Sequence, residues 1–198
     1  MINTIIFDFG DVFINLDKQA PVVNLQKLGL KNWNNDLDLL NHQFEKGLID
    51  RETFLQGIQN QIPNASLDEI EQAWNSVLLD FPLYRLEFLQ LLSQKYRLFL
   101  LSNTDAIHIR EFENKNGISF YSDFYQCFEK VYFSYEMGMC KPDLEIYKTV
   151  INNHELLPKH TLFVDDKKEN TDAAMQLGLQ VWNLQVCTDD VVHLFEGK

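Results

Sequence analysis

An α/β fold is predicted, a doubly wound parallel sheet with a helical insert after its first strand. Three observations predict it. Five short runs rich in aliphatic and aromatic residues have the length and composition of buried parallel strands. Helical patterns separate the last four of these runs. Residues 10–96, between the first two runs, form a connection far longer than a simple crossover requires.

The first strand is expected at Thr4–Phe9. The long connection then reads as helices over Ala20–Leu28, Asn35–Lys46, Arg51–Gln61 and Leu67–Leu78, followed by Leu83–Gln94. Asp50 suits the N-cap of the third, and Ser66 that of the fourth, with Glu69 completing a capping box. Strands at Arg97–Leu101, Lys130–Ser134, Thr161–Val164 and Leu179–Leu184 follow, alternating with helices over Ala106–Asn114, Asp143–Asn153 and Asn170–Leu177. Gly178 stands where a helix-terminating glycine is expected. The insert begins directly after Asp8, so both chain crossings fall beside the sheet's carboxyl edge. A cap closing over that edge is therefore the expected role of these helices.

Composition narrows the function. The 198 residues are 45% hydrophobic and 23% charged, ordinary for a globular domain with a substantial core. Against 17 basic side chains stand 29 acidic ones, a formal charge of −12. So acidic a surface repels nucleic-acid backbones and anionic lipid, and neither is an expected partner. Cys127, Cys140 and Cys187 are odd in number and form no CxxC pair, so a disulfide framework or zinc site is not expected and a reducing cytoplasm is. The N-terminus lacks the pattern of a signal peptide, and no apolar run reaches the ~18 residues of a membrane span.

Four clusters fall at the carboxyl ends of predicted strands: Asp8-Phe9-Gly10-Asp11-Val12, Leu101-Ser102-Asn103-Thr104, Lys141-Pro142-Asp143 and Val164-Asp165-Asp166. Ligands of open α/β sheets bind along that edge, so the four converge on one crevice. Their residue types suit phosphoryl transfer. Asp8 can attack phosphorus as a carboxylate nucleophile. Asp8, Asp165, Asp166 and one backbone carbonyl can hold Mg²⁺, which favours few-carboxylate sites completed by water and substrate phosphate. The Ser102 hydroxyl and the Asn103 backbone N–H can bind phosphoryl oxygens at a helix N-terminus. Lys141 supplies a further cation. Opposite unit charges about 4 Å apart attract by roughly 4 kcal/mol at an effective dielectric constant of about 20, help that an anionic nucleophile and an anionic substrate require.

These motifs resemble the haloacid dehalogenase superfamily over essentially the whole chain, specifically its phosphatase branch with a small helical cap. Phe7-Asp8-Phe9-Gly10-Asp11-Val12 resembles the nucleophile loop, and Leu101-Ser102-Asn103-Thr104 the phosphate-binding serine motif. Gly138-Met139-Cys140-Lys141-Pro142-Asp143 resembles the lysine motif, and Phe163-Val164-Asp165-Asp166 through Asn170 and Ala173-Ala174 the metal-binding motif. Phe44-Glu45-Lys46-Gly47 with Glu52 and Phe54 resembles the turn between cap helices. The Asp-x-Gly-x-Val loop, the Leu-Ser-Asn-Thr segment and His108 are similar to the bacterial α-D-glucose-1-phosphate phosphatase group. The resemblance implies a Rossmann-like core over residues 1–15 and 86–198 and a cap over 16–85. It implies hydrolysis of a small phosphorylated metabolite through an aspartyl-phosphate, with Mg²⁺ held by Asp8, the Gly10 carbonyl, Asp165 and Asp166.

One position departs from the pattern. Most phosphatases of the superfamily carry a second Asp two residues after the nucleophile, which protonates the leaving alkoxide. Here that position is Gly10. Such an acid is worth about 10²–10⁴ in rate, and Asp11, a cap side chain or water are the replacements. The gap also fits two rivals: a 2-haloacid dehalogenase, whose halide leaves without a proton, and a phosphometabolite-binding protein without turnover. Dehalogenases of the superfamily lack the acidic pair retained here at Asp165-Asp166, which favours phosphate chemistry. The five histidines show no metal-ligand spacing, and none is given a ligand role. Cys140 reads as a small loop filler, and Trp33, Trp74 and Trp182 as packing residues.

Overall fold

A computed structural model describes residues 1–195. Five strands form one all-parallel sheet, β1 (Thr4–Phe7), β2 (Arg97–Ser102), β3 (Lys130–Phe133), β4 (Thr161–Asp165) and β5 (Gln180–Asn183), ordered β3-β2-β1-β4-β5. The sheet is doubly wound because its strands bury both faces at a period of two. Ile5, Phe7, Leu98, Leu100, Leu162 and Val164 enter one core cluster, and Ile6, Phe99, Leu101 and Phe163 the opposite one.

Nine helices fall among the described residues: α1 (Ala20–Lys27), α2 (Asn35–Glu45), α3 (Arg51–Gln59), α4 (Leu67–Asn75), α5 (Leu83–Ser93), α6 (Ala106–Gln126), α7 (Ser134–Met137), α8 (Leu144–Asn153) and α9 (Lys168–Gln176). The first sheet face packs against α5 and α6 through Leu86, Leu89, Ile109, Phe112 and Phe124. The second packs against α8 and α9 through Ile146, Tyr147, Val150, Ala173 and Ala174.

Helices α1–α4 form a separate unit with its own apolar core, including Leu25, Leu37, Phe44, Phe54, Leu55, Ile58, Ile70 and Trp74. The expected caps are present: Asp50 accepts from Thr53 N–H, and Ser66 and Glu69 make the reciprocal box at α4. Trp33 stacks on Trp74 with ring centroids 5.9 Å apart, the packing role expected of both. The two crossings between this unit and the sheet run side by side, where Asn15 and Asp17 N–H donate to the carbonyls of Asp80 and Val77, and Leu79 N–H donates to Asn15. Helix α5 packs on the sheet's core through Leu86, Leu89 and Leu92.

Helix α6 extends twelve residues past the expected end at Asn114, because Gly117, at φ +77°, kinks the chain and a second helical stretch continues to Gln126. The phenylalanines of that stretch, Phe120 and Phe124, join an aromatic cluster with Phe9, Phe13 and Phe81.

Candidate active site

Strand order reverses between β1 and β4, and ligands of open α/β sheets bind at such a switch point. Asp8 follows β1, its N–H donating to Val164 of β4. Asp165 ends β4, and Ser102 ends β2 on the other side of β1. All are buried. One carboxylate oxygen each of Asp8, Asp165 and Asp166 lies within 4.8 Å of the others. Lys141, also buried, inserts between two of them, its Nζ 2.8 Å from Asp8 Oδ1 and 2.7 Å from Asp165 Oδ2.

The surrounding backbone fixes these groups. Asp165 accepts from Lys141 Nζ, from Asn170 Nδ2 at 3.0 Å and from Lys167 N–H at 2.8 Å. The Asn183 amide donates to the carbonyls of Asp165 and Asp166. Asn103 clasps the Lys141 backbone in both directions, donating to its carbonyl at 2.8 Å and accepting its N–H at 2.9 Å. Its side chain thus ties the serine loop to the lysine loop, so only its backbone N–H can serve a ligand.

Charge sets the protonation states. Burial pushes the Asp8 carboxyl above its ordinary value, Lys141 pulls it down, and Asp165 and Asp166 push it up again. Burial works against the charge of Lys141, but Asp165 and Asp8 outweigh it and hold the ammonium above its ordinary pKa. Nearby, Lys18 Nζ lies 2.7 Å from both Asp11 Oδ2 and Asp166 Oδ2. Two ammonium groups therefore face the four carboxylates of Asp8, Asp11, Asp165 and Asp166. That deficit of positive charge, in an all-oxygen donor set, suits a hard divalent cation.

A cavity of about 190 Å³ opens over this edge, walled by Asp8, Gly10, Ser102, Asn103, Lys141 and Asp166 from the sheet side. Glu45, at the end of α2, and His108, at the start of α6, complete it. Asp11 is not among the residues that wall it. Asp11 takes a left-handed conformation at φ +56°, and its carboxylate accepts from Leu16 N–H and pairs with Lys18. Gly10 has Leu16 as a neighbour, and a Cβ at Gly10 would stand 2.7 Å from Leu16 Cδ1. That atom is the movable end of a side chain, so Leu16 would have to turn aside for a larger residue at Gly10.

Lys18 carries no local sequence signal, and the Phe44-Glu45-Lys46-Gly47 turn does not itself mark Glu45 as a cavity residue. Lys18 and Glu45 reach the cavity only through the packing of the helical unit against the sheet. Among the described residues Glu45 has no hydrogen-bond partner, and burial holds its carboxyl above its ordinary value, with Lys167 and His108 pulling down and Asp105 pushing up. His108, marked by the resemblance, joins Asp105 and Trp74 in a hydrogen-bonded group that the sequence does not show. His108 Nδ1 lies 2.9 Å from Asp105 Oδ2, His108 Nε2 lies 3.2 Å from the Trp74 carbonyl oxygen, and Trp74 Nε1 donates to Asp105 at 3.1 Å. Both ring nitrogens face acceptors, the surroundings of an imidazolium. Burial alone would lower the His108 pKa, but Asp105 outweighs it and raises it above the ordinary value.

Residues 5–184 match the model of the haloacid dehalogenase-like hydrolases. The chain belongs to that family. Within it, a D-ribitol-5-phosphate phosphatase from Bacteroides thetaiotaomicron is 29% identical over 194 residues, 92% of this chain and 91% of the relative. The crystal structure of a family enzyme from the same species, in complex with magnesium and inorganic phosphate, superposes with a TM-score of 0.88 at 37% identity, covering 99% of this chain and 100% of that one. A family hydrolase from Porphyromonas gingivalis reaches a TM-score of 0.80 at 28% identity, over 92% of this chain and 90% of its own. A 2-haloacid dehalogenase from Pseudomonas syringae, at 16% identity and TM-score 0.58, shares the fold alone.

Proposed function

We propose that this protein is a magnesium-dependent phosphatase that hydrolyses a small sugar phosphate or sugar-alcohol phosphate through an aspartyl-phosphate on Asp8. The observation that carries the reading is the meeting of three carboxylates, Asp8, Asp165 and Asp166, with Lys141 at the sheet edge, beneath an open cavity that Asp8, Lys141 and Asp166 line. The ribitol-phosphate phosphatase and the magnesium–phosphate complex among the relatives support the same chemistry.

In the first step the Asp8 carboxylate attacks phosphorus and the ester oxygen leaves. Lys141 neutralises charge between nucleophile and phosphoryl group, while the Ser102 hydroxyl and Asn103 backbone N–H orient the phosphoryl oxygens. Asp8, Asp165, Asp166 and the Gly10 carbonyl would hold Mg²⁺, which supplies charge neutralisation at the phosphoryl oxygens. In the second step water hydrolyses the aspartyl-phosphate and frees Asp8. Closure of the helical unit, over residues 16–85, excludes bulk water meanwhile. The leaving alkoxide needs a proton, and Glu45 suits the task better than Asp11. Its carboxyl walls the cavity and is biased toward the protonated form, whereas Asp11 is held as an ion pair with Lys18.

The test is steady-state phosphate release from a panel including D-ribitol 5-phosphate and α-D-glucose 1-phosphate, with Mg²⁺ and after chelation by EDTA. Activity that EDTA removes and Mg²⁺ restores is expected. Halide release from haloacids without metal would establish the dehalogenase reading, and substrate binding without either product the sensor reading.

A further inference from the structure

Beside the catalytic carboxylates the chain assembles a second group of ligand atoms, and its chemistry is different. His42, Glu45 and Cys140 each offer one atom, nitrogen, oxygen and sulfur, all within 4.8 Å of one another. His42 and Glu45 lie one turn apart on α2, on the same helix face, whereas Cys140 belongs to the loop between α7 and α8 on the sheet side. We propose that His42, Glu45 and Cys140 form a binding site for a thiophilic divalent cation, Zn²⁺, that staples the helical unit onto the sheet domain and inhibits the enzyme.

The donor set selects the ion. Thiolate and imidazole suit Zn²⁺, whereas Mg²⁺ prefers oxygen, so the two neighbouring sites sort the two ions by chemistry. With bonds of about 2.0–2.3 Å, ligand atoms on tetrahedral zinc stand about 3.5 Å apart. Side-chain rotations that draw the three atoms together by about 1 Å would complete three of the four positions, leaving the last to water. The groups also gain from the ion individually. Burial pushes the Cys140 thiol up to about 11, Glu45 adds to the push, and Ser134 opposes it. Glu45 is a desolvated carboxyl with no hydrogen-bond partner to compensate it. A dication replaces the thiol proton, which leaves to solvent, and balances the carboxylate. The complex of one thiolate, one carboxylate and neutral imidazole with Zn²⁺ carries no net charge.

Neighbouring contacts place the site on a seam that already closes. Lys46 Nζ, next to Glu45, lies 3.3 Å from Asp143 Oδ2 across the same junction. The backbone at Gly47 approaches the Tyr135 carbonyl so closely that a Cβ would overlap it. An ion here would hold the cap shut and draw Glu45 out of the substrate cavity. The inhibitory part rests on the phosphatase reading, and the binding part does not.

Cobalt reads the site directly. In the full-length Cys187→Ser protein, which lacks the exposed thiol, with Mg²⁺ in excess, Co²⁺ is expected to produce a thiolate-to-cobalt charge-transfer band that Zn²⁺ abolishes. Cys140→Ser in that background should lose the band, and His42→Ala should weaken Co²⁺ affinity at least ~10-fold. His42 is exposed, so its variant keeps the test open if Cys140→Ser does not fold. Absence of the band, its persistence in Cys140→Ser, or unchanged affinity in His42→Ala would each overturn the site. For the inhibitory part, phosphate release in excess Mg²⁺ should fall on adding Zn²⁺, and His42→Ala should require ~10-fold more of it. Equal sensitivity of both proteins would assign the inhibition to the catalytic carboxylates and overturn the staple.

Discussion

The sheet wall and the helical wall of the cavity are held in different ways. On the sheet wall Asp165 is gripped by Lys141, Asn170 and the Lys167 N–H, and the lysine loop is clasped by Asn103 from both sides. On the helical wall Glu45 is without such a grip, and the ion pairs that cross the junction, Lys18–Asp166 and Lys46–Asp143, each include a partly exposed partner. Groups that must meet phosphorus in one geometry stand on strand ends and are over-determined. On the proposed function, the group that would meet the variable part of a substrate, Glu45, stands at the end of a helix of the inserted unit. Precision belongs to one wall and selection to the other.

If this division is right, damage to the sheet wall removes chemistry without disturbing the fold. Asp8→Asn should reduce phosphate release ~10⁴-fold or more with every substrate. The amide can still accept from Lys141 and removes a carboxylate that burial disfavours, so the melting temperature should stay near that of the native protein. Retained turnover in Asp8→Asn would end the nucleophile assignment.

Damage to the helical wall should instead depend on the substrate. Glu45→Gln is expected to lower kcat by about 10²-fold or more on an alkyl phosphate such as ribitol 5-phosphate. On p-nitrophenyl phosphate, whose leaving group needs no proton, the loss should be under ~10-fold. Equal losses on both substrates would show that Glu45 positions rather than protonates. At Gly47, φ is +64° and a Cβ would overlap the Tyr135 carbonyl. Gly47→Ala should destabilise the docked arrangement by about 1–3 kcal/mol, read as a higher KM and a lower urea midpoint.

The same division decides what could be read in the sequence. Asp8, Ser102 and Asp165 each follow or end a short apolar run, so those runs and the parallel-sheet rule were enough to bring them to one edge, whereas Lys141 lies beyond α7, in the loop before α8, and reaches the edge from there. The four cap helices were legible too, through apolar periodicity and the Asp50 and Ser66 caps. Lys18, Glu45 and the His42–Cys140 approach were not, since they exist only once the helical unit docks, and docking geometry leaves no local pattern. Gly10 shows both sides of this. The missing acid was visible as a glycine, but the Leu16 side chain packed beside it required coordinates. The second half of α6 lies beyond the helix expected over Ala106–Asn114: the chain kinks at Gly117, and the helical stretch after it is held by the aromatic packing of Phe120 and Phe124, which no local periodicity shows.

The smallest expected effect concerns the strut joining the two walls, Trp74 of α4 to Asp105 and His108 of the sheet side. Asp105 is buried, which alone would raise its pKa, but His108 and its hydrogen bonds outweigh that and hold it below the ordinary 3.8. Its contribution to stability is present above 3.8 and is lost as pH falls through the depressed folded value. His108 is raised above the ordinary 6.5, so its contribution is complete below 6.5 and is lost as pH rises through the raised folded value. The strut is therefore strongest between these two ordinary values. His108→Gln keeps a donor but no titrating charge, and it should flatten the alkaline limb of a plot of stability against pH measured by urea unfolding. An unchanged alkaline limb would mean that His108 is neutral and that the strut holds by hydrogen bonds alone.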